Sequence, residues 1–290
     1  MFESLKTRMA KWVEEYIESI SDPLLTRRLE RLQANLNEYG VDPFGFDPTM
    51  VKYAAPFVYF FYKHYFRVQQ FGIERVPAGR VMLIANHSGQ IPVDAAMIIA
   101  AMLIDADPPR MVRSMVERWV PSLPLLSYMF LRWGQIVGTR ENSKRLLEMQ
   151  EAILAFPEGV RGINKPFSDR YQLQEFGLGF MRLAMMTDTP IVPVAVVGAE
   201  EQTINLYNAK SLGKLFGMPG LPITPTTPLL GPLAIFPLPT RYRIYFGRPM
   251  TFEGNPDDED SVIQKHVNRV RGTISRMLHD GLKQRQHVFW

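Results

Sequence analysis

Hydrophobic positions follow a helical period as far as Phe66 and a mixed period beyond it. In residues 2–20 the apolar groups are Phe2, Leu5, Met9, Trp12, Val13, Tyr16, Ile17 and Ile20, a single stripe at helical spacing. Asp22-Pro23 then reads as an N-cap and a first-turn proline, and Leu25, Leu29, Leu32 and Leu36 carry a second helix toward Gly40. Asp47-Pro48 opens a third. Its stretch YAAPFVYFFYKHYF (53–66) is aromatic at eight of fourteen positions, spread around the whole circumference. Such a helix is either buried or set at the headgroup level of a bilayer, and periodicity alone does not separate the two.

After Arg67 short apolar runs alternate with helical patterns. FRVQQFGIERV and RVMLIAN read as strands, 93–104 as a helix, RMVRSMV as a strand and 122–132 as a helix. GQIVGTR, the helix ENSKRLLEMQ, the strand EAILAFPEG, the helix EFGLGFMRLAMMT and the strands PIVPVAVVG and RYRIYFGRP follow. This alternation predicts an α/β fold: a mostly parallel central sheet flanked by helices, with an N-terminal helical extension. The expected division is a helical region, 1–66, able to sit at a membrane interface, and an α/β domain, 67–290. Residues 217–240 carry seven prolines among apolar residues, which rules out a regular helix or central strand there. Packing on the body is the plainest use of this segment; covering an acyl tunnel or dipping into lipid are the others. A last helix follows DDED, with Ile263, Val267, Val270, Ile274 and Leu278 on one side. Lys265, Arg269, Arg271 and Arg276 give it a basic face for solvent or anionic lipid.

Composition narrows the class. The chain has 290 residues, 46% hydrophobic and 21% charged, enough for a sizeable core. A net charge of +4 argues against a dedicated nucleic-acid binder. With no cysteine there is neither a disulfide nor a thiol nucleophile. No apolar run reaches the roughly 18 residues of a spanning helix, and the N-terminus lacks a secretory apolar core. The expectation is a cytoplasmic protein, peripheral (monotopic) at the membrane surface.

In an open parallel sheet, ligands bind beyond the carboxyl ends of the strands. Two polar clusters fall there: Asn86-His87 after VMLIA, and Pro157-Glu158-Gly159-Val160-Arg161 after AILAF. His87 is suited to general-base work, and Asp94 can reach back to orient its ring. The plainer readings are a strand-end histidine and a helix-start carboxylate. Arg161 offers a fork for phosphate, and Gly159 allows close backbone approach. Arg140, after GQIVGT, is a second candidate phosphate contact. For Glu158 with Arg161 the plainer reading is a surface ion pair, and for Arg140 a loop arginine. No nucleophile elbow, P-loop, zinc-helix or dinucleotide fingerprint is present, and no metal site is expected.

Taken together, NHSGQIPVD, GQIVGTR, FPEGVRG and IVPVAVVG, spread over roughly 67–200, resemble the motifs of the glycerolipid acyltransferase superfamily, the lysophosphatidate and glycerol-3-phosphate acyltransferases. That family pairs a histidine with an aspartate after four residues; here Pro92 stands at that place and the carboxylate is Asp94, two positions late. Val160 replaces the threonine of Phe-Pro-Glu-Gly-Thr-Arg. The longer first motif and VVGAEE look closer to the branch near monoacylglycerol and diacylglycerol acyltransferases. The resemblance implies transfer of a fatty acyl group from a thioester, acyl-CoA or acyl-ACP, to a glycerolipid hydroxyl, on lysophosphatidate or glycerol-3-phosphate or on a neutral glyceride. His87 would be the base, with no acyl-enzyme and no cofactor beyond the donor. Glu158, Gly159, Arg161 and Arg140 would bind the acceptor. A catalytically inactive lipid-binding protein of the same fold, and a lipid hydrolase using the same base on water, remain as alternatives.

Overall fold

The computed structural model describes residues 15, 17, 20–32, 34–89, 91–116, 126–209 and 221–290. Apart from Glu15, Ile17 and Ile20, which are helical, the expected helix over 2–20 lies outside these, as does the start of the one expected over 122–132. Two helices come first, α1 (Pro23–Glu30) and α2 (Pro48–Phe60), the latter prolonged by a π-helical turn over Phe61–Tyr65. Then follow β1 (Gln69–Phe71), β2 (Val81–Ala85), α3 (Val93–Ile104), β3 (Val112–Val116), α4 (Leu126–Arg132), β4 (Ile136–Val137), α5 (Arg140–Glu148) and β5 (Ala152–Ala155). The remainder is α6 (Val160–Ile163), α7 (Gly179–Met186), β6 (Ile191–Val197), β7 (Tyr207–Ala209), β8 (Leu221–Ile223), α8 (Thr227–Leu230), β9 (Arg243–Phe246) and α9 (Asp260–Gln284).

Local chemistry sets the helix starts. Asp22 and Asp47 cap α1 and α2, accepting from the backbone N–H of Leu24 and Thr49, and a proline opens each helix. The second helix ends ten residues before Gly40. There the Asn37 side chain accepts from the N–H groups of Tyr39 and Val41, so a local turn competes with the helix.

Seven strands form one sheet in the order β1-β9-β6-β2-β5-β3-β4. All pairs are parallel except β6–β9. The expected α/β architecture is present, with the edge pair β1 and β9 running antiparallel to the other five strands. Both faces of the central strands are covered. Val81, Leu83 and Ala85 of β2 enter one core, Met82 and Ile84 the other, and all five are 0% exposed. In β6, Val192, Val194 and Val196 split in the same way from Ile191, Ala195 and Val197. This is why these strands read as unbroken apolar runs and not as alternating ones. Leu25, Ala55, Tyr62 and Phe66 share the first core with α3. Ile263, Val267, Val270, Ile274 and Leu278 of α9 fill the second. Their burial docks that face on the sheet.

The connections leave β2 in opposite senses. The chain passes from β2 over to β3, beyond β5, and later returns from β5 across β2 to β6. The carboxyl ends of β2, β5 and β6 therefore border a crevice where the strand order reverses, the place at which an open sheet accepts a ligand.

Candidate active site

The loop after β2 is held from both sides. Asn86, fully buried, extends the β2–β6 pairing with its side chain: Nδ2 donates to the Val196 carbonyl (3.1 Å) and Oδ1 accepts from the Val196 N–H (2.8 Å). That fixes the direction in which His87 leaves the strand. The His87 ring lies flat on Phe156, with centroids 4.1 Å apart and planes at 22°. Its Nδ1 is 2.7 Å from Asp94 Oδ2. Asp94 is the second residue of α3 and 0% exposed. It also accepts from the N–H groups of Ser88 (2.9 Å, to Oδ2) and Ala95 (2.8 Å, to Oδ1). A carboxylate accepting on both oxygens leaves the proton of this pair on Nδ1, and so places the lone pair on Nε2. Among the described residues nothing bonds to Nε2, and the side chain keeps 15% exposure. The two extra residues before Asp94 thus do not part it from the ring; they form a loop that turns back.

The loop after β5 carries the second cluster. Glu158 is 2% exposed, and both its oxygens are engaged. Oε1 accepts from the backbone N–H of His87 (3.0 Å) and Oε2 from that of Gln174 (2.7 Å). Lys165 Nζ stands 3.7 Å from Glu158 Oε2 and 2.9 Å from Glu200 Oε1, with all three side chains nearly inaccessible. Burial pushes the Glu200 carboxyl up to about 7, against the pull of Lys165. Gly159 opens α6 at φ 54°, ψ −144°, a conformation suited to glycine. Gly162 is the contact point between the loops: a Cβ there would stand 2.9 Å from Glu158 Cβ and 3.0 Å from His87 Cβ. Arg161, one residue earlier, turns outward. Its guanidinium donates to Glu175 Oε2 (3.0 Å) and to the Glu175 carbonyl (3.1 Å), with the side chain 56% exposed.

Of the residues expected from sequence, His87, Asp94 and Glu158 are joined by direct hydrogen bonds, and Gly159 and Arg161 belong to the turn that packs on His87. Arg140 lies apart. It begins α5 after the edge strand β4, three strand spacings from β2, roughly 14 Å along the sheet. It is exposed and near the Met186 sulfur (3.9 Å). Sequence reasoning missed Lys165, Gln174, Glu200 and the ring-stacking part of Phe156. Phe156 carried a signal as the first residue of FPEGVR, and Glu200 lies within VVGAEE. The plainer alternative, a surface ion pair between Glu158 and Arg161, is not formed: Glu158 is enclosed, and Arg161 pairs with Glu175. Among the described residues no cluster of three or more His, Asp or Glu side chains could hold a metal ion.

The family model described as Acyltransferase matches residues 67–197, from the approach to β1 through the end of β6. An uncharacterized protein of Mycobacterium leprae is 38% identical over 259 residues, 87% of this chain and 71% of its own length. The chain belongs to the glycerolipid acyltransferase superfamily. Other relatives sample the breadth of this acyltransferase superfamily. The "DGAT1/2-independent enzyme synthesizing storage lipids" of Gallus gallus is 26% identical over 227 residues, 74% of this chain and 64% of its own length. The "probable 1-acyl-sn-glycerol-3-phosphate acyltransferase" of Mycoplasma pneumoniae is 26% identical over 134 residues, 43% of this chain and 47% of its own. The fold is similar to that of the 1-acyl-sn-glycerophosphate (LPA) acyltransferase PlsC of Thermotoga maritima, with a TM-score of 0.52 at 17% identity over 81% of this chain and 82% of that one. As an acyltransferase of this superfamily, the chain is an enzyme.

Proposed function

We propose that this acyltransferase moves a fatty acyl group from a thioester, acyl-CoA or acyl-ACP, to the hydroxyl of a glycerolipid, with His87 as general base and Asp94 as the residue that orients it. The single observation carrying this reading is the 2.7 Å contact between His87 Nδ1 and Asp94 Oδ2, which leaves Nε2 without a partner among the described residues. In the step itself, Nε2 accepts the proton of the acceptor hydroxyl while that oxygen bonds to the thioester carbonyl carbon. The carbonyl electrons pass to oxygen and return as the carbon–sulfur bond breaks. The thiolate takes the proton back from the imidazolium and leaves as free thiol. No covalent acyl-enzyme is required. Asp94 supports the imidazolium that forms transiently.

Glu158 acts through the backbone in this proposal. Its carboxylate is committed to the N–H groups of His87 and Gln174, so it shapes the loop that presents the base and does not itself meet the acceptor. Arg161 remains the candidate contact for a phosphorylated acceptor such as lysophosphatidate or glycerol-3-phosphate. Its pair with Glu175 is exposed, and a phosphate can displace such a partner at little cost. A second reading, a neutral mono- or diacylglycerol as acceptor, is favoured by the same pair, because Glu175 already satisfies the guanidinium. The length of the match to the storage-lipid enzyme of Gallus gallus also favours it.

The experiment is thioester turnover by purified protein, followed as free thiol, with lipid products from a pool of lysophosphatidate, glycerol-3-phosphate and monoacylglycerol identified by mass spectrometry. Thiol release coupled to one acylated glycerolipid is expected. Free fatty acid without acylated lipid would move the assignment to a hydrolase. Equal turnover by the wild type and His87→Ala would remove His87 from the mechanism.

A further inference from the structure

A small cavity adjoins the base loop. Its lining includes Ser88 and Gly89, the two residues after His87, and Gly162, where the loops meet. Lys165, Glu200 and Asn205 line it from the segments after α6 and β6. The volume is about 20 Å³, room for one hydroxyl-sized group. Four of these residues are polar and enclosed: Ser88 is 2% exposed, Asn205 7%, Lys165 8% and Glu200 9%. Two of the four are unsatisfied. Ser88 Oγ and Asn205 Oδ1 are buried without a hydrogen-bond partner among the described residues. The free atom of Asn205 is fixed as the oxygen, because Nδ2 donates to the Lys165 carbonyl (3.2 Å). Ser88 is held by its backbone N–H, which donates to Asp94 (2.9 Å), and its hydroxyl is left to donate or accept. A buried polar atom without a partner is costly, and two of them on residues around one cavity mark a place that a guest completes.

The lining limits what that guest is. Asn205 Oδ1 only accepts, so the guest must donate. The cation of the cavity is already spent: Lys165 Nζ donates to Glu200 (2.9 Å) and to the Gln172 carbonyl (3.3 Å), and stands 3.7 Å from Glu158. A phosphate would meet Asn205 Oδ1 and Glu200 with no free cation to hold it, and its four oxygens exceed the space. An amide N–H from the pantetheine arm of a thioester donor lies in mid-chain and needs an exit on both sides. A hydroxyl ends its own branch, donates one bond and accepts another.

We propose that this cavity binds a second, non-reacting hydroxyl of the acceptor, donating to Asn205 Oδ1 and accepting from Ser88 Oγ, so that the enzyme selects acceptors with two free hydroxyls over those with one. The inference rests on the reading of His87 as base toward a glycerolipid hydroxyl, and it narrows the acceptor of that reaction to a glycerol diol. Monoacylglycerol and glycerol-3-phosphate carry two free hydroxyls. Lysophosphatidate and diacylglycerol carry one, which reacts and leaves the cavity unfilled. Ser88 and Asn205 are then specificity residues, distinct from the base and from the carboxylates that hold it.

The test uses the full chain with water-soluble probes: the diol monobutyrin, its two single-hydroxyl relatives 2-hydroxypropyl butyrate and 3-hydroxypropyl butyrate, and glycerol-3-phosphate as a charged diol. Binding is followed by calorimetry and acyl transfer by kcat/KM with an acyl-CoA donor. Wild type should bind and acylate a diol about tenfold or more better than either single-hydroxyl ester. Comparison of monobutyrin with glycerol-3-phosphate then tells which diol is the source. In Ser88→Ala the preference for two hydroxyls should fall toward one, while thermal unfolding holds or rises, since a buried unpaired hydroxyl has been removed. Asn205→Ala should lower the preference as well. Equal binding and turnover of diols and single-hydroxyl esters by wild type, or binding of none of them, would overturn the proposal. So would a wild-type preference kept in both variants, which would leave the cavity to a structural water. If no acceptor is acylated, the functional reading fails, and the ratio of binding constants alone decides the cavity.

Discussion

The loops after β2 and β5 meet at Gly162, yet they spend their carboxylates in opposite ways. Asp94, on the first loop, gives one oxygen to the His87 ring and so fixes which nitrogen is left to act. Glu158, on the second, gives its oxygens to two backbone N–H groups and so fixes where the ring sits. In the proposed mechanism one carboxylate sets the chemistry of the base and the other its position. The difference is visible only in partners, because both are buried and both stand within one contact of the same histidine.

Removing the base breaks the comparison most severely. His87→Ala should lower thioester turnover by about a hundred- to ten-thousand-fold, with some loss of melting temperature because the ring stacks on Phe156 and pairs with the buried Asp94. Asp94→Asn keeps the shape but can donate toward the ring. It should therefore lower kcat by a similar order while leaving KM nearly unchanged.

The Glu158 side is expected to fail through stability. Lys165 is the cation shared by Glu158 and Glu200, at 4% side-chain exposure. Lys165→Met leaves both carboxylates buried without it and should cost about 3–5 kcal/mol in denaturant unfolding. The cost depends on pH. Glu200 in the folded protein titrates near 7, above its ordinary 4.5, because burial disfavours its charge. The folded state thus holds a proton that the unfolded state gives up sooner. The stability from that proton is complete below 4.5 and is lost as pH rises through about 7. Wild-type stability should fall across this window, and Glu200→Gln should flatten the slope. A slope that survives Glu200→Gln assigns the titration elsewhere.

Gly162→Ala tests the junction itself. The new Cβ would press on the Cβ atoms of Glu158 and His87 and stand 3.2 Å from the His87 carbonyl. Overpacking of this kind costs about 1–3 kcal/mol. If the two loops position the base together, kcat should fall as well, with KM held. Full activity in a destabilised Gly162→Ala protein would show that the base tolerates movement of its loop.

The sheet was legible because its strands are short apolar runs between helical patterns, and β2 and β6 are buried on both faces. His87 and the two strand-end clusters were legible because topology puts polar residues at the carboxyl edge. The Asp94 contact was legible only as an option, since its spacing departs from the family motif and the fold of the intervening loop decides the matter. Lys165 and Glu200 were not legible. They are 35 residues apart, on the segments after α6 and β6, and a buried ion pair between such segments leaves no periodic mark in either. The end of α1 was missed because the apolar spacing runs on through Leu32 and Leu36 although the helix ends at Glu30.

Arg161 is the point at which the second loop looks outward, and its substitution separates the two acceptor readings. Its guanidinium is more than half exposed and paired with an exposed glutamate, so Arg161→Ala should alter stability by only about 0–1 kcal/mol. Any larger effect must then come from substrate. A phosphate held by a charge-assisted pair loses about 1.5–3 kcal/mol when the guanidinium is removed, roughly a ten- to hundredfold drop in kcat/KM carried mainly by KM. A neutral glyceride, with no anion to hold, should lose almost nothing. Glu175→Gln supplies the converse arm: freeing the guanidinium should lower KM for a phosphorylated acceptor and leave a neutral one untouched. If neither substitution moves KM for any acceptor in the pool, Arg161 belongs to the surface and the headgroup is read elsewhere along the crevice.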